Sequence, residues 1–227
     1  AQARRPGCPD ARIAACGADQ RVGTGMTRSI VVVSGGLSNP SSTRLLADQL
    51  ATATDVALRG HGDAADLRVI ELRELAHPLA DHLLTGFPTG ALAEAIEAVR
   101  DADGLIVVTP VFSASYSGLF KMFFDVLGPD LLRGKPVLLA ATAGTARHSL
   151  VLEHALRPLF SYLRAITVPT AVFAATEDFG GTDSAGLSDR IAVAAGELAD
   201  LVTGAPVTSG PDNPYESFTP FDQLLKG

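Results

Sequence analysis

Apolar runs that are hydrophobic at every position, not every second one, constrain this chain most. SIVVVS (29–34), GLIVVTP (104–110), KPVLLAAT (135–142) and TAVFAA (170–175) are such runs, and LRVIEL (67–72) is a shorter relative. A strand that is apolar throughout is covered on both faces, which is the habit of parallel sheets. The intervening segments have helical spacing. STRLLADQLATATDVAL repeats its apolar residues at Leu45, Leu46, Leu50 and Ala53. GALAEAIEAVRDAD, SGLFKMFFDVLG, HSLVLEHALRPLFSYLRA and LSDRIAVAAGELADLVTG follow the later strands or precede them. Pro158 lies inside the fourth of these helical segments and is expected to kink it. Residues 73–89, with His77-Pro78 and Gly86-Phe87-Pro88, read as a long connection.

Strands alternating with helices predict an α/β domain with a doubly wound parallel sheet. Five strands suggest the flavodoxin-like order 2-1-3-4-5. The 227 residues, 47% hydrophobic and 19% charged, suit one domain over about 26–205. A formal net charge of -7 with no basic block argues against nucleic acid or an anionic membrane surface as partner. No apolar run is long enough to span a bilayer, and the absence of Trp disfavours base stacking.

Residues 1–25 do not share this pattern, and they hold both cysteines, Cys8 and Cys16. Ile13-Ala14-Ala15-Cys16 resembles a lipoprotein cleavage box, but Pro6, Pro9 and Asp10 stand where an apolar segment is required. The stretch therefore reads as a disordered leader, or as residues upstream of a start at Met26. Residues 206–227 read as a tail. A domain without cysteine excludes thiol catalysis and fits a reducing cytoplasm. The histidines show no HxH or HExxH spacing, and no GxSxG elbow occurs.

Ligands of such sheets bind outside the carboxyl ends of the strands. The loop after strand one, SGGLSNPSSTRLL, turns at two glycines and enters a helix through Ser41, Ser42 and Thr43, with Arg44 just inside. Hydroxyls, free N–H groups and a guanidinium at a helix start suit an anion. A plain helix cap is the alternative for any one Ser. The loop is neither GxGxxG nor a P-loop. After strand three, TPVFSASYSGLFK offers Pro110 and then Ser113, Ala114, Ser115 and Ser117, small enough for a flat ligand to reach the backbone. TAGTARH follows strand four in the same way. One loop suited to phosphate and two suited to a planar ring point to a mononucleotide cofactor. For Phe112 and Tyr116 ordinary packing competes with that role, and for His148 a helix-start role does.

TPVFSASYSGLFK resembles the isoalloxazine loop of the NAD(P)H-dependent FMN reductase family. ATAGTARHSLVLEHALRPLFSYLRA is similar to the matching segment in that family's alkanesulfonate-system branch. The SNPSSTRLLAD stretch resembles actinobacterial members that partner luciferase-like monooxygenases, although Gly35, Gly36 and Leu37 replace the usual Gly-Ser-x-Arg opening. The resemblance spans about residues 29–175. It implies that Ser38, Ser41, Thr43 and Arg44 hold the FMN phosphate. Pro110, Val111, Phe112 and Ser113 would line the isoalloxazine, with Tyr116 and Gly118 near the ring or a subunit contact. Thr142, Ala143 and Gly144 would face its pyrimidine side, and Arg147 and His148 would meet the phosphates of NADPH or NADH.

The implied activity is hydride transfer from nicotinamide to flavin N5, with no residue acting as nucleophile or general base. Reduced FMN would then serve a flavin-dependent monooxygenase. An FMN-retaining quinone or azo reductase and a non-enzymatic electron carrier are the alternatives. SGLFKMFFDVL is apolar around nearly its whole circumference, which suggests a homodimer or homotetramer.

Overall fold

The computed structural model describes residues 25–128, 130–179 and 184–205. The expected leader, apart from Gly25, and the expected tail lie outside the described residues. In chain order the main elements are β1 (Thr27–Ser34), α1 (Ser42–Gly60), β2 (Ala64–Glu71), α2 (Ala76–Thr85) and α3 (Gly90–Asp101). β3 (Gly104–Phe112), β4 (Ser115–Tyr116), α4 (Gly118–Asp125) and β5 (Pro136–Ala143) follow. The chain continues through α5 (Arg157–Tyr162), β6 (Ile166–Thr167), β7 (Val172–Ala175) and α6 (Ser184–Thr203).

The long strands pair in parallel in the order β2-β1-β3-β5, and β6 and β7 share the next position beside β5. This is the expected 2-1-3-4-5 order, with the fifth strand in two pieces. Pro169 lies between the pieces and has no N–H for the ladder. The two-residue β4 is an antiparallel appendix to β3.

Strand alternation divides the core in two. Ile30, Val32, Ile106, Val108 and Leu138 bury against α1 and α6. Val31, Val33, Leu105, Val107 and Leu139 bury against α2, α3, α4 and α5. On this second face Phe120 packs 4.7 Å from Phe124, which packs 4.9 Å from Phe160, measured between ring centroids. Such pairs add about 0.5–1.5 kcal/mol each beyond the area they bury. On α4, Phe120, Phe123 and Phe124 go to this core, while Leu119 and Met122 are half-buried at its margin.

Residues 73–89 are not an open connection: Leu72–Leu75 form a 3-10 turn and α2 follows. Pro78 falls in the first turn of α2, where an N–H has no intrahelical acceptor, so it permits the helix. Gly86 ends it with φ 79°. Before Pro158 the helix departs from regular α geometry. Leu152–Leu156 take π geometry, with the Arg157 N–H reaching back to the Leu152 carbonyl. A proline ring crowds the carbonyl four residues before it, and a wider turn relieves that.

Candidate active site

The loop after β1 is drawn tight. Gly35 donates its N–H to the Val108 carbonyl at 2.8 Å, tying the loop to β3. Gly36 passes so close to the start of α1 that a Cβ there would lie 2.2 Å from Ser41 Oγ and 3.2 Å from Thr43 Cβ. Ser41 caps α1 in extended conformation, its Oγ accepting from the Arg44 N–H at 3.2 Å. A hydroxyl that accepts this bond keeps its own proton for a second partner. The first turn of α1 contains no acidic residue, so the positive end of the helix is not neutralised. Thr43 is buried, and its Oγ1 lies 2.8 Å from Thr142 Oγ1, joining the loops after β1 and β5.

Arg44 is not brought into this arrangement. Its Nε donates to Asp48 at 2.8 Å, and its Nη1 pairs with Glu71 at the end of β2. The bond to Asp48 outweighs burial and holds the guanidinium above its ordinary pKa.

The loop after β3 is a two-residue hairpin. Val111 faces Tyr116 and Phe112 faces Ser115 across the β3–β4 ladder. Ser113 and Ala114 between them have φ of 49° and 65°. Two positive φ values in a two-residue turn are the I′ geometry, normally given to Asn-Gly. Non-glycine residues held there cost on the order of 1–3 kcal/mol each, and such strain collects at ligand sites. Thr109 Oγ1 steadies the turn, accepting from the Ser117 N–H at 3.1 Å and donating to the Pro110 carbonyl at 2.9 Å.

Between these loops lies a cleft of about 350 Å³ at the carboxyl ends of β1, β3 and β5. Ser38, Ser41, Ser42 and Thr43 line one end. Pro110, Val111 and Phe112 form one wall, and Thr142, Ala143 and Gly144 the other. Leu37 and Thr176 complete it. Neither was expected to line the site: Leu37 was named only as a departure from the family's loop opening, and Thr176 follows a strand whose end was not read as part of the site. At the mouth Leu37 and Phe112 keep 50% and 47% of their surface exposed.

The remaining expected residues lie elsewhere. Ser113 forms the hairpin tip. Tyr116 is half-buried, its ring centroid 6.1 Å from that of Phe120. Gly118 is the exposed first residue of α4. Arg147 and His148 line a second cavity, of about 420 Å³, with Ala114 and Ser115. A groove of about 440 Å³ between α1 and α6, lined by Gln49, Ala53 and Ile191 among others, lies away from the strand ends.

The cleft suits a mononucleotide. Its hydroxyl end converges on a helix start, and the absent side chain at Gly36 preserves that concavity. Its other end offers small side chains, backbone and an exposed aromatic ring, which suit a flat heterocycle. Fold and cleft together define a flavodoxin-like flavin oxidoreductase. The sequence profile of the NADPH-dependent FMN reductases matches residues 28–180, and the chain belongs to that family. An FMN reductase (NADPH) of Pseudomonas aeruginosa is 42% identical over 177 residues, covering 77% of this chain and 92% of the relative. The NADH-dependent FMN reductase SfnE of Pseudomonas putida is also 42% identical, covering 76% and 91%. Among solved structures, an oxidoreductase from Corynebacterium diphtheriae is 54% identical with a TM-score of 0.77, covering 78% of this chain and 98% of that one. The apo form of an NADH:FMN oxidoreductase is 30% identical with a TM-score of 0.63, covering 84% and 100%.

Proposed function

We propose that this protein reduces FMN with NADPH or NADH and releases the reduced flavin to a flavin-dependent monooxygenase. The observation that carries the reading is the cleft, with hydroxyls and a helix start at one end and a strained small-residue hairpin at the other. Bound FMN supplies the chemistry by accepting a hydride at its N5 from the nicotinamide.

The chain's own residues have three tasks. Ser38, Ser41, Ser42 and Thr43 donate to the phosphate, aided by the free N–H groups of the first turn of α1. Arg44 stays with Asp48 and Glu71 and steadies that helix start. The hairpin and the Thr142–Gly144 loop present backbone groups to the ring edge and leave one ring face open to the nicotinamide. Positioning of this kind is worth on the order of 7–11 kcal/mol at best, so no side chain has to act as acid or base. Arg147 and His148, which line the neighbouring cavity, are assigned to the nucleotide's phosphates on this reading.

Assembly as a homodimer or homotetramer is supported by α4, whose Leu119 and Met122, with Val126 just after its end, are only half-buried within one chain. Cytoplasmic residence follows from a nicotinamide-dependent activity; among the described residues no helix is long and apolar enough to cross a membrane. The decisive test is NADPH and NADH oxidation by the purified protein with and without added FMN. Strong dependence on added FMN supports the reading, whereas full turnover of a quinone without added flavin overturns it.

A further inference from the structure

The second cavity is separated from the flavin cleft by the Ser113–Ala114 turn, and the two share their loops. Phe112, Ala143 and Gly144 face the cleft, while Ala114, Ser115, Arg147 and His148 face the cavity. His154, in the π turn Leu152–Leu156, lines the cavity as well. Three nitrogen-bearing side chains and the Ser115 hydroxyl thus border one concavity within a chain of net charge -7.

Arg147 is unlike most arginines here. Arg28, Arg44, Arg59, Arg73, Arg133 and Arg157 are each held by a carboxylate. Arg147 has no carboxylate partner among the described residues; its backbone N–H bonds Thr145 Oγ1 at 3.3 Å. The acid nearest in sequence, Glu153, is occupied by Arg157, which donates to it at 2.6 and 3.0 Å. A guanidinium fork with no carboxylate partner among the described residues, with imidazole N–H groups lining the same cavity, suits a dianionic phosphate. Exposed Leu150 and half-buried Ala155 add an apolar wall suited to a nucleoside.

We infer that this cavity reads the adenosine 2′-phosphate of NADPH, with Arg147 and His154 as its specificity-determining residues. The inference rests on the nicotinamide-dependent reading of the neighbouring cleft. On that reading the nicotinamide lies over the flavin cleft and the phosphorylated adenosine across the hairpin from it. The strained turn is then shared by both halves of the ligand.

The test compares binding of 2′,5′-ADP and 5′-ADP to the whole protein by calorimetry, alongside kcat/KM for NADPH and NADH. Wild type should bind 2′,5′-ADP at least about tenfold more tightly than 5′-ADP. Arg147→Ala and His154→Ala should each erase most of that difference and lower kcat/KM for NADPH at least about tenfold more than for NADH. His154→Gln, which retains an N–H donor, should recover part of it. Thermal melting checks that these exposed positions leave the fold intact. Equal binding of the two diphosphates by wild type, or equal losses for both nucleotides in the variants, overturns the inference. If neither nucleotide is oxidised with FMN present, the reductase reading fails, while the two diphosphates still decide whether the cavity reads a 2′-phosphate.

Discussion

Replacing Gly36 by Ala tests the flavin cleft at its tightest point. The new Cβ would stand 2.2 Å from Ser41 Oγ, and 3.2 Å from Ser41 Cβ and Thr43 Cβ. The Ser41 hydroxyl can escape by rotating, but it then gives up its bond from the Arg44 N–H. Losing a serine cap costs about 0.5–2 kcal/mol. The remaining contacts yield by a few tenths of an ångström. A net loss of about 1–2 kcal/mol lowers the melting temperature by about 3–6 °C in a domain of this size. The rotation also takes a donor from the proposed phosphate position. A hydrogen bond to a charged group is worth about 1.5–3 kcal/mol, so FMN affinity should fall about 10- to 100-fold.

The same reasoning makes a sharper demand on a double variant. Ser41→Ala removes the cap and the donor at once, and with them the worst clash. Adding Gly36→Ala in that background should cost less than about 0.5 kcal/mol of stability and under about threefold in affinity, so the two changes are strongly non-additive. Flavin fluorescence titration and urea unfolding of the four proteins complete the cycle. Additive effects, or a Gly36→Ala protein that binds FMN like wild type, would refute the claim that Ser41 is the group in the way.

Thr142→Val leaves the buried Thr43 hydroxyl without its partner and should cost about 1–3 kcal/mol by urea unfolding, with partial recovery in the Thr43→Val/Thr142→Val pair. Arg44→Ala should change FMN affinity by less than about threefold, since Asp48 and Glu71 already hold the guanidinium; a tenfold loss in titration would put that fork on the phosphate. Asp55 is held below its ordinary pKa chiefly by its bond from Arg59, Asp63 by its bond from Arg28, and Glu153 by its bond from Arg157. Folded-state depression of a carboxyl gives stability that is present above the unfolded pKa and lost as pH falls through the folded one, so urea midpoints should be level near neutrality and decline below about pH 4.5. An Asp55→Asn/Asp63→Asn protein with an unchanged acid slope would remove those two aspartates from this account. With no Trp in the chain and no cation among the described residues that line the cleft, FMN should leave during gel filtration; a stoichiometric flavin peak would favour the quinone or azo reductase alternative.

The sheet was legible because burial on both faces leaves a pattern that needs no tertiary knowledge. Val31 and Val32 point to opposite cores, yet both must be apolar. The helix after β2 was not legible, since a proline in the first turn looks the same in sequence as a proline that breaks a helix. The division of the fifth strand depends on where Pro169 falls in the ladder, which sequence spacing does not reveal. The cleft was largely readable, because the loops that must line it follow strands one, three and four. Sequence could not assign the arginines, since a charge next to a binding loop can be turned either way. Arg44 is captured by Asp48, one turn along its own helix, and by Glu71, twenty-seven residues away in sequence and brought near only by β-pairing. Arg147 meets no such acid among the described residues, and its backbone N–H is bonded to Thr145 Oγ1. The same residue type thus serves as a structural clamp at one loop and stands as a free cation at another. Only the positions of the carboxylates separate the two, so a cation should be assigned to a ligand after its acidic neighbours have been placed.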